Sequence, residues 1–282
     1  MKDERTFTLH PSSFTLHPSL STLDRMRYHC QVQIRNYEIG PDGALHHGQL
    51  MRLLQYAATY ASDIAGMDST WYTDNRTAWV LRGLRVQYLA PAFENDVIEI
   101  ETWLSDVRRV RGNREYVLRR PKDGGIIARA QADWVYVDRA NLAPLRIPAE
   151  ALAQFKHEPG TSSGMASWVA AEPVGEVYQH RRSAQHREID MMRHVNNAVY
   201  FEWFEQAYAE ATGELPTNIA GHAIEFVRGA QLGDEVVITS QRTQSSQNNA
   251  IVWVQEIRHS QTQEVIAMNK LLAATPDKIT DA

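Results

Sequence analysis

The sequence predicts an α+β protein made of two tandem units, each an antiparallel sheet wrapped around one long helix. Two helical segments, 48–66 and 195–212, have apolar residues at steps of three and four. Strand-like segments rich in Val, Ile, Trp and Tyr follow each helix, and a sheet of such strands can bury the helix's apolar face. Motifs also recur at an offset of 150, since Glu38-Ile39 matches Glu188-Ile189. A repeat this long indicates tandem domains rather than a solenoid.

The first unit begins with a strand-like segment at Tyr28–Ile34, and the helix of residues 48–66 follows it. Gly66 is a plausible end for that helix. The turn residues of Pro121–Gly125 predict a hairpin. Four further strands are expected, at Ala78–Tyr88, Asp96–Ser105, Arg114–Arg120 and Ile126–Asp138.

The second unit repeats this order around the helix Val195–Thr212. Asn196 or Asn197 supplies an N-cap, and Gly213 supplies a C-terminal stop. Four strands are expected after the helix, at Ala223–Arg228, Asp234–Gln241, Ala250–Arg258 and Glu264–Ala273.

These patterns divide the chain into two domains, a linker and two tails. Residues 26–150 form the N-terminal domain and residues 176–276 the C-terminal domain. Residues 151–175 join them, with a short helix near Ala149–Phe155 and a flexible stretch at 159–164. Residues 1–25 contain Phe-Thr-Leu-His-Pro-Ser twice and have no amphipathic period, so we expect a disordered tail; residues 277–282 form a second tail.

Composition excludes several classes of function. The chain has 29 Lys+Arg and 34 Asp+Glu, a net charge of −5, which argues against a dedicated nucleic-acid binder. No apolar run approaches the ~18–20 residues that span a bilayer. One cysteine, Cys30, excludes an internal disulfide and a cysteine-based zinc site, and the cytoplasm is the expected compartment. Since Walker, dinucleotide and His-Glu-x-x-His motifs are also missing, we expect no cofactor and no metal.

The segment before the second helix carries the residues best suited to chemistry. Asp190 and His194 are four positions apart, and a carboxylate and an imidazole at this spacing can converge on one water. Backbone N–H groups of Asn196, Asn197 and Ala198, at the start of the helix, can stabilise an oxyanion. Together these groups suit hydrolysis of an acyl compound. The alternative interpretation is that the same residues only form a turn and cap the helix.

This segment resembles a motif of the hotdog-fold thioesterases, Asp-x-x-x-His-Val-Asn-Asn-x-x-Tyr-x-x-Trp, here running from Asp190 to Trp203. The strand Asp96–Trp103 and the segment Tyr37–Gly43 resemble bacterial acyl-ACP thioesterases, relatives of the plant plastid enzymes (ACP, acyl carrier protein). The resemblance covers residues 26–275. It implies tandem hotdog domains, with catalysis in the second and acyl-chain binding largely in the first.

The resemblance implies Asp190 as the catalytic aspartate and His194 as its histidine. Two positions depart from the plant pattern. Met192 replaces an asparagine, and methionine cannot orient water by hydrogen bonding. Gly229 and Ala230 replace a Glu-Cys pair. Other carboxylates, Glu202, Glu205 and Glu225, are possible substitutes.

In the first unit Gly40, Ala44 and His46 occupy the positions of Asp190, His194 and Asn196. The first unit therefore lacks the acid–imidazole pair and is interpreted as a degenerate site. His46 and His47 precede its helix, a position more typical of surface histidines.

Seven basic and two acidic residues lie within 105–122. Because ACP is strongly acidic, Arg108, Arg109 and Arg111 could steer its docking, although a solvated hairpin explains the charges equally well.

The favoured function is therefore hydrolysis of fatty acyl-ACP, which releases the fatty acid and terminates fatty acid synthesis. Three alternatives remain: an acyl-CoA thioesterase of the same fold, a hotdog hydratase or dehydratase, and a non-catalytic acyl-binding module. The chain could act as a monomer of tandem domains or as a homodimer.

Overall fold

The computed structural model describes residues 27–155, 157–165, 172–243 and 251–274. The predicted tails, 1–25 and 277–282, lie outside the described residues. The first half of the chain contains β1 (Tyr28–Gln33), α1 (His47–Ile64), α2 (Ser69–Asp74), β2 (Thr77–Tyr88), β3 (Val97–Arg108), β4 (Arg111–Arg119), β5 (Ile126–Asp138) and α3 (Ala149–Gln154). The second half contains β6 (Pro173–Ser183), α4 (Asn197–Thr212), β7 (Ile219–Phe226), β8 (Glu235–Thr243), β9 (Ile251–His259) and β10 (Val265–Ala273).

The ten strands of the described residues form one antiparallel sheet, in the order β1-β3-β4-β5-β2-β7-β10-β9-β8-β6. Each half therefore contributes five neighbouring strands with the same internal order. The halves meet where β2 pairs with β7, with Gly83 opposite Glu225 and Gln87 opposite Gly221. The predicted α+β arrangement of two units is confirmed, and the two predicted sheets are continuous.

The core lies between this sheet and the two long helices. Buried apolar residues of α1, such as Leu54 and Ala57, join Trp203 and Phe204 of α4 in a single cluster. Gly48 permits the close approach of the helices, because a Cβ at that position would lie 2.7 Å from Glu202 Oε1. The broad apolar faces seen in the sequence thus pack against each other as well as against the strands.

The loops before α1 and α4 share one conformation, as the offset of 150 predicts. Gly40 N donates to Ala44 O over 2.8 Å, and Asp190 N donates to His194 O over 2.9 Å. A β-bridge joins Ile39 to Leu45 in the first loop and an equivalent bridge joins Ile189 to Val195 in the second. Residues 150 positions apart therefore occupy equivalent places in these two loops and in the helices that follow them.

The structure corrects two sequence-based expectations about the linker. The predicted flexible stretch 159–164 is anchored to the first half at Ser163, which is 2% exposed and whose N–H donates to Glu115 over 3.0 Å, while residues 159, 160, 162 and 164 are exposed. The second half begins earlier than predicted, since β6 starts at Pro173. In the described parts of the chain, no helix has the length and apolarity needed to cross a membrane.

Candidate active site

Asp190 lies in the tight loop that leads into α4. A 3-10 turn at His186–Glu188 precedes it, and the backbone hydrogen bond between Asp190 N and His194 O closes the loop. One carboxylate oxygen, Oδ1, accepts the Met192 N–H over 2.8 Å. The other oxygen has no hydrogen bond within the described residues, and the side chain is half-buried. Asp190 therefore has one oxygen held by the loop and one available to a ligand.

His194 is half-buried and packs against Gly229 of the loop after β7. A Cβ on Gly229 would lie 2.6 Å from His194 Cγ, so the imidazole occupies the space that any larger residue would need. Val195 N donates to Ala230 O over 2.8 Å, and Ala230 N donates to Tyr200 Oη over 2.9 Å. These bonds hold the Asp190–His194 loop against the segment that follows β7. The only sequence feature that pointed to Gly229 was its departure from the plant pattern.

The start of α4 offers fewer N–H groups than the sequence predicts. Asn196 is the N-cap, and its Oδ1 accepts the Ala198 N–H over 2.9 Å. The Ala198 N–H is therefore already satisfied and does not fit its predicted role at an oxyanion. The Asn197 N–H has no hydrogen bond within the described chain, so it is the group available for that role.

Two of the three additional carboxylates considered above, Glu205 and Glu225, do not join Asp190; the third, Glu202, pairs with Arg52 at 2.7 Å. Glu225 is exposed and lies on the face of β7 opposite to its buried neighbours Ile224 and Phe226, because side chains alternate along a strand. Glu205 lies on α4, eight residues after Asn197, which is about 12 Å along the helix axis. A supporting role for either carboxylate beside Asp190 is therefore wrong on geometric grounds.

Glu205 instead forms a second cluster with His47 and His222. His47 Nδ1 lies 2.6 Å from Glu205 Oε1, and His222 Nε2 lies 3.2 Å from the same oxygen. The His222 side chain is fully buried, and the side chains of Glu205 and His47 are 10% and 20% exposed. His47 is thus not the surface residue that its position before α1 suggested. No sequence spacing could reveal the cluster, because its members come from α1, α4 and β7.

Burial opposes ionisation of Glu205, but its neighbours outweigh that effect. The charge of His47 and the hydrogen bonds from His222 and His47 lower the pKa of Glu205 to about 2. Burial is the main cause that lowers the pKa of His222 below its usual value. Glu205 is therefore an anion at neutral pH, whereas His222 is neutral.

A row of buried polar side chains extends from His222 across the second half of the sheet. Asn269 Nδ2 lies 3.1 Å from His222 Nδ1 and donates to Gln255 Oε1 over 2.9 Å. Gln255 Nε2 donates to the Phe204 carbonyl over 2.8 Å and to Ser240 Oγ over 2.9 Å. Because a carbonyl can only accept, the Phe204 oxygen sets the direction of every bond in the row.

That direction decides what the cluster can bind. Asn269 donates to His222 Nδ1, so the proton of the neutral ring is on Nε2 and points at Glu205. The ligand atoms of His47, Glu205 and His222 lie within 4.8 Å of one another, as in a metal site. A metal would need the Nε2 lone pair of His222, which this hydrogen-bonded arrangement does not offer. The cluster therefore fits a hydrogen-bonded carboxylate better than a metal centre.

The three arginines proposed for docking lie at the β3–β4 hairpin. Arg108, Arg109 and Arg111 are exposed; Arg108 pairs with Asp106 at 2.6 Å and Arg111 with Asp133 at 3.5 Å. Arg108 and Arg111 line a groove on the outer face of the sheet together with Arg82.

Family comparison covers most of the chain. Residues 25–155 match the model of the acyl-ACP thioesterase N-terminal domain, and residues 171–272 match the model of the C-terminal domain. The chain is 24% identical over 199 residues to oleoyl-acyl carrier protein thioesterase 2, chloroplastic, of Arabidopsis thaliana, a match of 64% of this chain and 53% of that protein. The chain thus spans about half the length of the curated relatives it matches.

Solved structures share the fold. An acyl-ACP thioesterase from Bacteroides thetaiotaomicron superposes with a TM-score of 0.74 at 18% identity, covering 90% of this chain and 100% of that one. The 12:0-ACP thioesterase from Umbellularia californica gives a TM-score of 0.73 at 16% identity, covering 88% of this chain and 94% of that one. These similarities confirm the double hotdog fold predicted from the sequence.

Proposed function

This chain belongs to the acyl-ACP thioesterase family, and on that basis we propose that it hydrolyses fatty acyl-ACP to free fatty acid and ACP. The observation that carries the proposal is the loop before α4, which holds a half-buried carboxylate, Asp190, four residues before a half-buried imidazole, His194. The release of fatty acid would end a round of fatty acid synthesis.

Asp190 acts on the thioester together with His194. Its unbonded oxygen either takes a proton from the attacking water or attacks the carbonyl carbon itself. The Asn197 N–H, at the positive end of the α4 dipole, stabilises the oxyanion that forms. Hydrolysis in water enriched in oxygen-18, under single turnover, separates the two routes. General-base catalysis places the label in the released fatty acid, whereas an anhydride that water opens at the Asp190 carbonyl carbon places the label in Asp190 of the recovered enzyme.

The acyl chain fits the interior of the first half better than that of the second. Leu89 N donates to Ile127 O as Val227 N donates to Ile266 O, so the strands of the two halves can be matched residue by residue. Where the second half buries His222 and Asn269, the first half has Leu84 and Ala130, both buried. An apolar interior accepts an alkyl chain without leaving polar groups unpaired.

Acyl carrier protein docks on the basic side of the β3–β4 hairpin. Arg82 lines the same groove as Arg108 and Arg111, and its Nη1 donates to Phe226 O over 2.6 Å. Phe226 is three residues before Gly229, which packs on His194. The arginine groove therefore adjoins the chain segment that positions the histidine, and an acidic partner bound there lies near the catalytic loop.

The decisive experiment measures hydrolysis of acyl-ACPs of several chain lengths by the wild-type chain, Asp190→Asn and Glu225→Gln. Free fatty acids are quantified by mass spectrometry, and acyl-CoA with the same acyl chains is assayed in parallel. We expect Asp190→Asn to lower kcat by about 10²-fold or more because it removes the base. Glu225→Gln should keep the wild-type kcat, since Glu225 lies on the outer face of the sheet. It also lines the groove of Arg82, Arg108 and Arg111, so its effect is confined to KM for acyl-ACP. Normal turnover by Asp190→Asn would contradict the assignment, and tight acyl-ACP binding without released acid would identify a binding module.

A further inference from the structure

The start of α1 is equivalent to the Asp190 loop and the start of α4, but its chemistry is arranged differently. At the offset of 150, His47 matches Asn197, the first residue of α4, and Glu205 matches Gln55. The second half has its acid and imidazole in the loop, and its equivalent helix positions carry neutral amides. The first half has Gly40 and Ala44 in the loop, and the acid and imidazole lie on the helices. Both places therefore contain a carboxylate and an imidazole.

His47 is oriented as a general base would be. Glu205 is an anion and accepts from Nδ1 of His47 over 2.6 Å, so the Nδ1 proton points at the carboxylate. In the uncharged form of the ring the lone pair is therefore on Nε2, the nitrogen that a general base would use. Tyr88 stacks on the imidazole with ring centroids 3.8 Å apart and an angle of 13° between the planes. Glu205 thus fixes the tautomer of His47, and the stacked Tyr88 ring holds the plane of the imidazole. A carboxylate that orients an imidazole is also found in acid–histidine catalytic pairs.

The other neighbours of Glu205 hold its carboxylate through a hydrogen bond and bring no charge of their own. Neutral His222 donates to Glu205 through Nε2, and the row that ends at the Phe204 carbonyl fixes the His222 ring. Gln255, Asn269 and His222 are each at most 1% exposed, so water does not loosen this support.

The Tyr88 hydroxyl and the backbone N–H groups at the start of α1 have no hydrogen-bond acceptor in the described residues. The Tyr88 hydroxyl is buried and has no partner in the described residues. Burial, followed by the charge of Glu205, raises the pKa of Tyr88 well above its usual value, so the hydroxyl keeps its proton. His46 makes no side-chain cap on α1, and the N–H groups of His47 and Gly48 have no partner in the described chain. A buried donor without an acceptor is costly, and an oxygen of a bound ligand would satisfy it.

We propose that His47 and Glu205 form a second hydrolytic centre that cleaves the same class of substrate, a fatty acyl thioester, independently of Asp190. His47 Nε2 takes a proton from water as the water oxygen bonds to the carbonyl carbon, and Tyr88 donates to the oxyanion. When the tetrahedral intermediate collapses the C–S bond breaks, and His47 returns the proton to the departing thiolate. The products are the fatty acid and the carrier thiol. The inference rests on the proposed thioesterase function.

The test compares the effect of removing the dyad in two backgrounds. Glu205→Gln and His47→Asn introduce the residue types found at the equivalent positions, Gln55 and Asn197. In the wild-type background, where Asp190 is intact, we expect either substitution to remove a smaller fraction of acyl-ACP turnover than in the Asp190→Asn background. In the Asp190→Asn background, we expect either substitution to remove about tenfold or more of the residual turnover, because it removes that centre's base.

Tyr88→Phe keeps the test valid if the dyad variants unfold. It deletes a hydroxyl that bonds to nothing in the described chain, so a structural role predicts unchanged or increased thermal stability and no change in the residual rate. A catalytic role predicts a residual rate several-fold lower in the Asp190→Asn background. Glu202→Gln, which alters an exposed carboxylate on the same helix, is the matched control and should leave the residual rate unchanged.

Three results would overturn the second centre: an Asp190→Asn protein with no residual turnover, a residual rate that none of the three substitutions changes, or equal fold-losses in both backgrounds. The last result would mean that the dyad only supports the Asp190 site. A wild-type chain with no thioesterase activity on any acyl-ACP or acyl-CoA would instead refute the proposed function itself, which keeps the two failures distinct.

Discussion

His194 depends on a glycine for its position. The imidazole fills the space above Gly229, and the nearest ring atom would lie 2.6 Å from an added Cβ. A glycine here is explained by this contact, since its backbone does not require a positive φ. The residue that departs from the plant pattern at position 229 is thus a condition for the ring's placement in this chain.

Gly229→Ala tests that dependence at the scale of one methyl group. We expect a loss of about tenfold or more in kcat/KM for acyl-ACP, because the imidazole must move to make room for the methyl group. The control is Gly83→Ala on β2, where the nearest atom to an added Cβ is Ile224 O at 3.5 Å, an ordinary contact. Both variants are compared by steady-state kinetics, and circular dichroism verifies that they fold. Wild-type activity in both variants would refute the role of Gly229.

At the scale of elements, the two long helices begin differently. Asn196 caps α4 through its side chain, whereas His46, its equivalent, makes no side-chain cap on α1. Capping by asparagine is common and was predicted from sequence, but the loss of the cap in the first half became visible only in the structure. The uncapped start leaves the N–H groups of α1 available to a ligand.

Asn196→Ala and His46→Ala form a matched pair. Removing the Asn196 cap should destabilise the protein by about 1 kcal/mol, which corresponds to about 2–4 °C in Tm for a chain of this size. His46→Ala removes no cap and should change Tm by much less. Differential scanning calorimetry of both variants decides the point, and equal shifts would show that the capping bond contributes nothing.

The β3–β4 hairpin carries the proposed docking surface. Changing Arg108, Arg109 and Arg111 to Glu should raise KM for acyl-ACP by about tenfold or more, because it opposes the acidic carrier, and should leave KM for a short acyl-pantetheine unchanged. The effect should shrink at high salt. Equal changes for both substrates would remove the docking role. Thermal stability should change little, since these side chains are exposed.

At the scale of the whole molecule, the halves are joined by more than the β2–β7 pairing. His47 of the first half and His222 of the second both hydrogen bond to Glu205, so one buried carboxylate links the two halves. Since Glu205 comes from α4, this contact can form only when both helices are docked on the shared sheet.

Stability should therefore depend on pH through Glu205. Its pKa falls from an unfolded value of about 4.5 to about 2 on folding, so the ionised group stabilises the protein above pH 4.5. That contribution is lost as pH falls from about 4.5 towards 2. Glu205→Gln should be less stable than wild type at pH 7, and the difference should shrink across that window in chemical denaturation. A difference that does not vary with pH would refute a charged, native-state Glu205.

The strongly periodic elements were predictable from sequence because their patterns are local. Each long helix and most of the strands after it were predicted close to their observed bounds, although β7 begins four residues before its predicted start and no bounds were predicted for β6. The resemblance of the Asp190–His194 segment indicated the family. The short helix α2 was missed, since its six residues are too few for a helical period and its N-cap, Asp68, acts through a single bond to Trp71 N.

The sequence by itself determined the repeat, the fold class and the acid–imidazole pair of the second loop, because each depends on residues that are neighbours along the chain. Only the tertiary structure decided that the two sheets are continuous, that Glu225 faces outward and that Glu205 lies between His47 and His222. His47, Glu205 and His222 are separated by up to 175 positions, and contacts at such separations follow from how the helices dock on the sheet. Periodicity carries no information about that docking.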